Sequence, residues 1–500
     1  MSLPPSRSAS GGQPQDRARW RAFAVILAAG FMTLLDVSIV NVALPSIEAG
    51  LAADDAHIQW IVAGYSLSFG LVLVPAGRLG DLLGRRSMFL LGLIGFVVAS
   101  AACGLAQDAA WLAVTRIVQG AFAGILNPQV IALIQDLFRG PARARAFGYF
   151  GMTIGVSTAI GPLLGGVLVS SLGPELGWRS VFLINVPVGL VVVPLAARWL
   201  RGHGSAAAQR RSGSGGGLGL DGVGLVLIAG IVLAVMWPFI AGTESDRGLA
   251  GAPWSLLGVA AVLAVVLVLW ERRQDGRGRP AILPGVLVRN RGFVLGASLG
   301  AAYFGGFTGI FIVATMWLQQ GVGLPAWLAG MAQMPFAVAS AVSAARSGRR
   351  VSQRGRRVVV GGLLLMMTGV AALSLLMALR PEEPWTVWVV PVLLGIAGAG
   401  SGSVISPNQA LTLADVPTRH AGTASGLLQT LQRLGATVGL ALMTSLFFSV
   451  VDTDGSLAAY SRGLAVSTAF TLILLGVALV IALVDQRAHP HAHDEADAGR

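Results

Sequence analysis

AFAVILAAGFMTLLDVSIVNVALP, running from Ala22 to Pro45, is an almost wholly apolar stretch that contains a single acid, Asp36. About 20 apolar residues suffice for one helical crossing of a bilayer core, so this stretch predicts a membrane-spanning helix. A carboxylate at that depth costs about 2.5 to 3.5 kcal/mol on insertion scales, and ionisable residues kept inside spans are usually functional. Asp36 is therefore the first candidate functional residue.

Further apolar runs follow along the chain, fourteen in all, and the last covers residues 463–484. The chain is 54% hydrophobic and 12% charged, which is typical of an integral membrane protein and argues against a soluble multidomain protein. The other acids lie in connections, in tails or at span ends, so Asp36 is the one acid deep in a predicted span. We predict an all-α integral membrane protein with 14 transmembrane helices.

The positive charges indicate how the chain lies in the membrane. The chain has no lysine, and its arginines form short clusters in alternate connections, while the other connections are sparse and acidic. Cytoplasmic loops carry the excess of positive charge, so we expect both termini in the cytoplasm and a multi-pass protein of the cell membrane. The scattered clusters also argue against nucleic acid as the partner, despite a net charge of +12.

An internal repeat divides the chain. GRLGDLLGRR, Gly77 to Arg86, returns as GRRVSQRGRR, Gly348 to Arg357, with both glycines and three arginines matched. The duplication predicts two six-helix bundles related about an axis along the membrane normal, with two helices inserted between them. The predicted parts are a disordered cytoplasmic tail (1–20), an N-terminal bundle (21–200), a flexible linker (201–218), the inserted pair with its cytoplasmic loop (219–291), a C-terminal bundle (292–485) and a cytoplasmic tail (486–500).

Arg116 is the natural partner for Asp36. About nine residues separate Asp36 from the outer end of its span and about seven separate Arg116 from its own, so a rise of about 1.5 Å per residue gives both a similar depth. A buried guanidinium favours an ionised carboxylate, and its withdrawal favours protonation. We predict a proton-coupling pair, and the alternative is a permanent ion pair that only fixes helix register. Gln119, one turn from Arg116, can hold the guanidinium or a water, or bond to a neighbouring helix.

Other residues are candidates for a substrate cavity. Arg433 lies deep in its span and needs an acid, a carbonyl or water, either at a cavity or by snorkelling to the cytoplasmic side. Asn41 and Gln119 supply neutral polarity, and Tyr303 and Phe307 supply aromatic surface for a planar lipophilic substrate. The alternative for each of these four residues is ordinary packing or an interhelical hydrogen bond.

Asp81 lies in the first copy of the repeated loop. A carboxylate there can cap a helix N-terminus or pair with arginines across the interface between the halves. The alternative is a solvated loop that only sets topology. The second copy has Ser352 in this place, so we expect only the first copy to form such a contact.

These motifs resemble the major facilitator superfamily, and in particular its fourteen-span drug:proton antiporters. The resemblance covers the chain from Arg21 to Asp485. GRLGDLLGRR is similar to the superfamily's loop signature between spans two and three. Further similar stretches are LDVSIVNVALP (35–45), LAVTRIVQGAFAG (112–124), GVSTAIGPLLGG (155–166), WRSVFLINVPVG (178–189) and the stretch 422–439.

The resemblance implies the major facilitator fold and two structural roles. Residues of the repeated loop would form a gate latch for the outward-facing state, and residues of the fifth span would form a tight seam between the bundles that limits leak. The implied gate residues are Gly77, Asp81, Gly84, Arg85 and Arg86, and the implied seam residues are Gly155, Gly161, Pro162, Gly165 and Gly166.

We therefore expect a monomeric proton-coupled antiporter that exports amphipathic drugs or antibiotics by alternating access. The alternatives are a proton-coupled nutrient symporter, a lipid exporter or flippase, and a non-transporting scaffold or receptor. The sequence has no phosphate-loop signature, no nucleophile elbow and no metal-spaced cluster in the folded region, so we expect neither an enzyme nor a bound metal or cofactor.

Overall fold

The computed structural model describes residues 12–201, 221–241, 251–277, 282–451 and 456–488, and helices dominate all of these segments. Fourteen helical segments are long and apolar enough to cross a membrane, which confirms the predicted all-α class and number of spans. Residues 202–218 of the predicted linker and the tail residues 1–11 and 489–500 lie outside the described residues.

The N-terminal half consists of six helices, and its fifth and sixth spans meet at Gly173, where φ is 81°. The range of α5 therefore covers the fifth span as far as Gly173 and the beginning of the sixth span after it. The helices are α1 (Gly12–Leu51), α2 (Asp55–Leu83), α3 (Arg85–Gly104), α4 (Ala109–Leu137), α5 (Gly140–Leu183) and α6 (Asn185–Trp199).

The inserted pair and the C-terminal half complete the chain. A π-helical turn over Trp317–Gly321 extends α10, and a 3₁₀ turn over Thr418–His420 precedes α14. The helices are α7 (Gly222–Ala241), α8 (Ser255–Asp275), the short α9 (Gly285–Arg289), α10 (Arg291–Met316), α11 (Ala326–Arg354), α12 (Arg356–Leu379), α13 (Thr386–Thr412), α14 (Ala421–Val451) and α15 (Leu457–Ala488).

The beginning of α1 corrects one prediction. We expected a disordered tail over residues 1–20, but residues 12–20 continue the first helix towards the N-terminus. Packing explains part of this extension, because the ring of Trp20 lies 4.9 Å from that of Phe138 and 5.9 Å from that of Tyr149. Such aromatic contacts stabilise a terminal turn that a polar composition alone would leave unordered.

The repeated loop places a glycine of positive φ between two helices in both halves. Gly84 (φ 104°) lies between α2 and α3, and Gly355 (φ 50°) lies between α11 and α12. Residues with a Cβ rarely adopt a positive φ, so the glycine matched in the two copies is required at this turn. The arginine that follows each glycine, Arg85 or Arg356, is buried and ion-paired.

The two halves meet at close helix crossings near these loops. A Cβ on Gly77 of α2 would clash with the carbonyl of Gly422 on α14, and a Cβ on Gly148 of α5 would come within 2.9 Å of the Cα of Gly348 on α11. The first glycine of each copy of the repeat therefore permits backbone contact with the opposite half. We call the end of the molecule that carries Gly84 and Gly355 the Arg-rich end.

The inserted helices lie beside one of these crossings. Helices α7 and α8 pack against each other, and α7 also contacts α2 and α14. An apolar cluster joins Val232 and Met236 of α7 to Leu67 of α2, and Leu427 and Leu434 of α14 pack against it. The inserted pair therefore covers the line along which α2 of one half meets α14 of the other.

We predict that Gly84→Ala and Gly355→Ala each lower the free energy of unfolding by about 1 to 3 kcal/mol, because alanine resists a positive φ. Gly476→Ala is the matched control, since Gly476 lies within α15 and a Cβ added there would have nothing within 4 Å. Unfolding of the purified protein in detergent measures the effect. Equal stability of all three variants would contradict a requirement for glycine at the turns.

Candidate functional site

Asp36 lies inside the N-terminal half, where two other helices supply its partners. Its Oδ2 accepts a 2.7 Å hydrogen bond from Nη1 of Arg116 on α4. Its Oδ1 accepts bonds of 2.9 Å from Nε2 of Gln119 on α4 and 3.1 Å from Nδ2 of Asn185 on α6. None of these four side chains is more than 3% exposed. We call Asp36, Arg116, Gln119 and Asn185 the acid network.

Several contacts hold the guanidinium of Arg116. Its Nη1 also donates to Oε1 of Gln119 at 2.7 Å, and its Nε donates to the carbonyl of Ile61 at 3.2 Å. Its Cζ lies 4.2 Å from the ring centroid of Tyr65, where the negative face of the ring attracts a cation. The guanidinium therefore links α4 both to the acid on α1 and to α2.

Close packing of α2 on α4 brings Tyr65 to this guanidinium. A Cβ on Gly120 would clash with the backbone of Tyr65, and one on Gly124 would lie 2.7 Å from the carbonyl oxygen of Phe69. Because these positions lack side chains, the two helices approach backbone to backbone. Arg116, one turn before Gly120, then lies directly beneath the tyrosine ring.

The Asp36 carboxylate is both removed from water and surrounded by hydrogen-bond donors. Burial away from water disfavours the charged form of an acid, whereas an adjacent cation and hydrogen bonds to the carboxylate favour it. Asp36 combines these features, since it is fully buried and accepts three bonds, one of them from a guanidinium.

The structure separates the residues predicted for a substrate cavity. Gln119 belongs to the buried acid network, whereas Asn41 is exposed further along α1. Arg433 lies on α14 of the other half, with its Cζ 4.4 Å from the ring centroid of Phe69 on α2. The predicted set is therefore not gathered in one place, and Arg433 is the member that spans the two halves.

Tyr303 corrects its predicted placement at a cavity. Its side chain is 1% exposed, its ring stacks on Phe307 with centroids 5.4 Å apart, and its hydroxyl donates to Oγ of Ser401 at 2.7 Å. The hydroxyl can be buried because it has this partner. Tyr303 is thus a core residue of the C-terminal half, while Phe307 remains half-buried at the edge of the same aromatic group.

Asp81 joins the two halves at the Arg-rich end. Its Oδ1 accepts a 2.9 Å hydrogen bond from the amide of Gly422, and its Oδ2 accepts 2.8 Å bonds from both the amide and the hydroxyl of Thr423. These amides begin α14, so the carboxylate also interacts favourably with the helix dipole. In the second copy, Ser352 is exposed and its hydroxyl donates to the carbonyl of Arg349. The carboxylate contact therefore exists only in the first copy.

The arginines of the same loop support this contact. Arg85 donates to Oδ1 of Asp81 at 2.9 Å, pairs with Asp136 at the end of α4, and donates to the carbonyl of Thr418 in the C-terminal half. Arg86 instead donates to the carbonyl of Ala197 at 2.9 Å and so connects α3 to the end of α6. Arg85 thus contributes to the contact between halves, and Arg86 acts within one half.

The glycines predicted as a seam between the halves have two different locations. A Cβ on Gly155 would lie 2.9 Å from the amide nitrogen of Ala341 on α11, and Pro162 faces Gly330 of the same helix. Gly161 and Gly165 instead pack on α1 of their own half. Gly166 has nothing within 4 Å of a Cβ position. The prediction of a seam between halves is therefore wrong for these last three glycines.

Several partners were not assigned from the sequence. Asn185 was one of many polar residues inside predicted spans, and only the fold shows that its amide reaches Asp36 and, at 2.9 Å, the hydroxyl of Ser100. The amides that bind Asp81 belong to backbone, which carries no residue-specific signal. Arg356 and Asp485 form a buried ion pair in the C-terminal half, although they are far apart in the chain.

Comparison with known proteins finds matches over most of the chain. A family model described as Major Facilitator Superfamily matches residues 26–440. The proton:xylose symporter XylE has a similar structure, with a TM-score of 0.64 at 14% identity, over 93% of this chain and 96% of that one. The human organic anion transporter MFSD10 matches with a TM-score of 0.61 at 16% identity, over 94% and 99%. At these identities the likeness extends to the fold alone.

Three relatives with higher identity come from Streptomyces. The chain is 35% identical to a probable actinorhodin transporter of Streptomyces coelicolor, over 90% of this chain and 76% of the relative. It is 32% identical to the puromycin resistance protein pur8 of Streptomyces alboniger, over 97% and 95%. It is 31% identical to the tetracenomycin C resistance and export protein of Streptomyces glaucescens, over 86% and 76%.

We predict that Arg116→Gln destabilises the protein by about 3 to 5 kcal/mol, because it leaves the buried Asp36 carboxylate without its cation. The double variant Asp36→Asn/Arg116→Gln should recover most of that loss, since its amides can still bond to Gln119 and Asn185. Unfolding in detergent compares the two. A double variant no more stable than the single one would show that the ion pair does not dominate this site.

We also predict that Asp81→Ala speeds hydrogen–deuterium exchange in the first turn of α14, because the amides of Gly422 and Thr423 lose their acceptor. Ser352→Ala is the matched control in the second copy of the loop and should leave that turn unchanged. The exchange of peptides from this turn is followed by mass spectrometry. Equal exchange in the two variants would rule out a carboxylate contact that holds the Arg-rich end closed.

Proposed function

Because this chain belongs to the Major Facilitator Superfamily, we propose that it exports amphipathic antibiotics or drugs across the cell membrane in exchange for protons. The chain is a multi-pass membrane transport protein and not an enzyme. The names of its relatives refer to resistance against, or export of, several antibiotics, which supports small amphipathic molecules as substrates. In this proposal the protein acts as a monomer with both termini in the cytoplasm.

One observation carries the proton coupling. Asp36 is a fully buried acid within a membrane span, and its cationic partner among the described residues, Arg116, lies on another helix. A purely structural ion pair would serve equally well near a span end, where the cost of burying charge is lower. Placement at this depth supports a group that changes its protonation state during transport.

The contacts at the Arg-rich end support alternating access. Asp81 binds the start of α14, Arg85 binds the carbonyl of Thr418, and Arg143 donates to the carbonyl of Ala414 at 3.3 Å. With positive charge on the cytoplasmic side, these bonds close the cytoplasmic end of the pathway. We infer that they break when the bundles rock, and that substrate then enters from the cytoplasm.

The proposed cycle couples this movement to Asp36. With the cytoplasmic end closed and Asp36 still paired with Arg116, as in this structure, a proton from outside binds Asp36 and releases it from Arg116 as substrate leaves. When the cytoplasmic end opens, Arg116 returns to Asp36, the proton leaves to the cytoplasm, and new substrate binds. The state open to the outside favours the bound proton, and the state open to the cytoplasm favours the bound substrate. Protons that flow inward down their gradient therefore drive the export of substrate.

Resistance assays test this function. In a pump-deficient host, the wild type should raise resistance to antibiotics such as tetracenomycin C, and a protonophore should abolish the gain. Asp36→Asn removes the titrating group and should return resistance to vector level. Asp54→Asn is the matched control, because Asp54 is exposed at the start of α2 and asparagine can also cap that helix.

Equal amounts of each variant in the membrane fraction make this comparison valid. Wild-type resistance in the Asp36→Asn strain would contradict proton coupling through this acid. Resistance that persists undiminished in the presence of the protonophore would contradict proton-driven export altogether.

A further inference from the structure

Arg433 is a deep guanidinium without an anionic partner. It lies about 18 Å along α14 from the Arg-rich end, at about 1.5 Å per residue. Among the described residues it donates no hydrogen bond and forms no ion pair, and its guanidinium lies over the face of Phe69. The buried arginines Arg85, Arg116 and Arg356 all have carboxylate partners. A charge left alone at this depth is costly and needs an explanation.

Unsatisfied polar groups occur beside Arg433. The Nε2 of Gln429 and the Oγ1 of Thr430, one turn earlier on α14, have no hydrogen-bond partner among the described residues. The hydroxyl of Tyr65 on α2 has none either within that part of the chain, although Tyr65 is only 2% exposed. Each of these groups can donate a hydrogen bond, and a buried group without a partner is unfavourable.

The geometry relates these groups to each other. The rings of Tyr65 and Phe69 stack with centroids 6.2 Å apart, and Arg433 covers the Phe69 ring at 4.4 Å. Arg433 is also close enough to Tyr65 to interact with it electrostatically. Asp36 also interacts with Tyr65, but this acid is already bound by Arg116. The place between α2 and α14 is therefore rich in donors and carries an unbalanced positive charge.

The inserted helices screen this place from lipid. Leu427 and Leu434 of α14 pack with Val232 and Met236 of α7, so the outer side of the meeting of α2 and α14 is covered. Arg433 itself remains partly exposed although it lies near the middle of its span. We place this accessible surface towards the space between the halves, because α7 covers the outer side.

We propose that Arg433, Tyr65, Gln429 and Thr430 bind the anionic group of an exported substrate, a carboxylate or phenolate. A guanidinium presents paired N–H donors that match the two oxygens of a carboxylate, and the three neutral groups supply further donors. The proposal rests on the export function and narrows its substrates to amphipathic acids. An aromatic part of the substrate would lie against Phe69.

The same site offers a physical route from substrate to proton. The Tyr65 hydroxyl would bind the substrate anion, while the face of its ring holds Arg116 at 4.2 Å. Binding that draws the tyrosine towards Arg433 would weaken the hold on Arg116, and Arg116 is the cation of Asp36. Tyr65 is thus a positioning residue between the two sites.

Export of matched compounds by everted vesicles tests the proposal. The probes are a panel of aromatic antibiotics and dyes that carry a carboxylic acid, each paired with its methyl ester. The wild type should transport acids in preference to esters. Arg433→Gln should reduce that preference by about tenfold or more, because it removes charge-assisted hydrogen bonds, and Arg433→Lys should retain part of it. Arg462→Gln, at an exposed arginine on α15, is the matched control.

Each other outcome has a distinct meaning. Transport of esters at least as fast as acids by the wild type would overturn the anion site and leave export intact. An equal loss of acids and esters in Arg433→Gln, at normal membrane levels, would also overturn it. No transport of any compound by the wild type would count against the proposed export function itself.

Discussion

The burial of the Asp36 carboxylate is the constraint on which the N-terminal half depends. A charge removed from water must be neutralised or paired, and removal of one partner of a buried ion pair is severely destabilising. Here α4 supplies a guanidinium and an amide, and α6 supplies a second amide. The glycines that let α2 approach α4 then complete the enclosure by placing Tyr65 over Arg116. One acid thus determines how four helices pack.

The two halves share the repeated loop but differ in the ionisable residues that they contain. Both halves use a glycine of positive φ followed by a buried arginine, and in both the first glycine of the loop permits contact with the other half. The partners differ, because Arg85 pairs with Asp81 and Asp136, whereas Arg356 pairs with Asp485. The deep acid and the latching carboxylate occur in the first half, and the unpaired Arg433 occurs in the second. In our proposal this asymmetry separates proton binding from substrate recognition.

The sequence predicts those features that follow from hydrophobicity and from depth. Apolar runs predict every span, because crossing a bilayer imposes a minimum length, and counting residues from span ends predicts that Asp36 and Arg116 meet. Choosing among many polar side chains requires helix rotation, which the sequence does not specify. Asn185 therefore could not be distinguished from other amides, and Tyr303 was wrongly placed at a cavity. The predicted seam of fifth-span glycines was wrong in part for the same reason, since Gly161 and Gly165 face α1 while Gly155 faces α11.

The most direct test of the account measures protons at the acid itself. An exported compound is added to the purified protein in detergent, and a pH indicator records the protons released as the compound binds. We predict release by the wild type and none by Asp36→Asn, with Asp54→Asn behaving as the wild type. Release of the same size from Asp36→Asn, with the compound still bound, would contradict the assignment of proton exchange to this buried carboxylate.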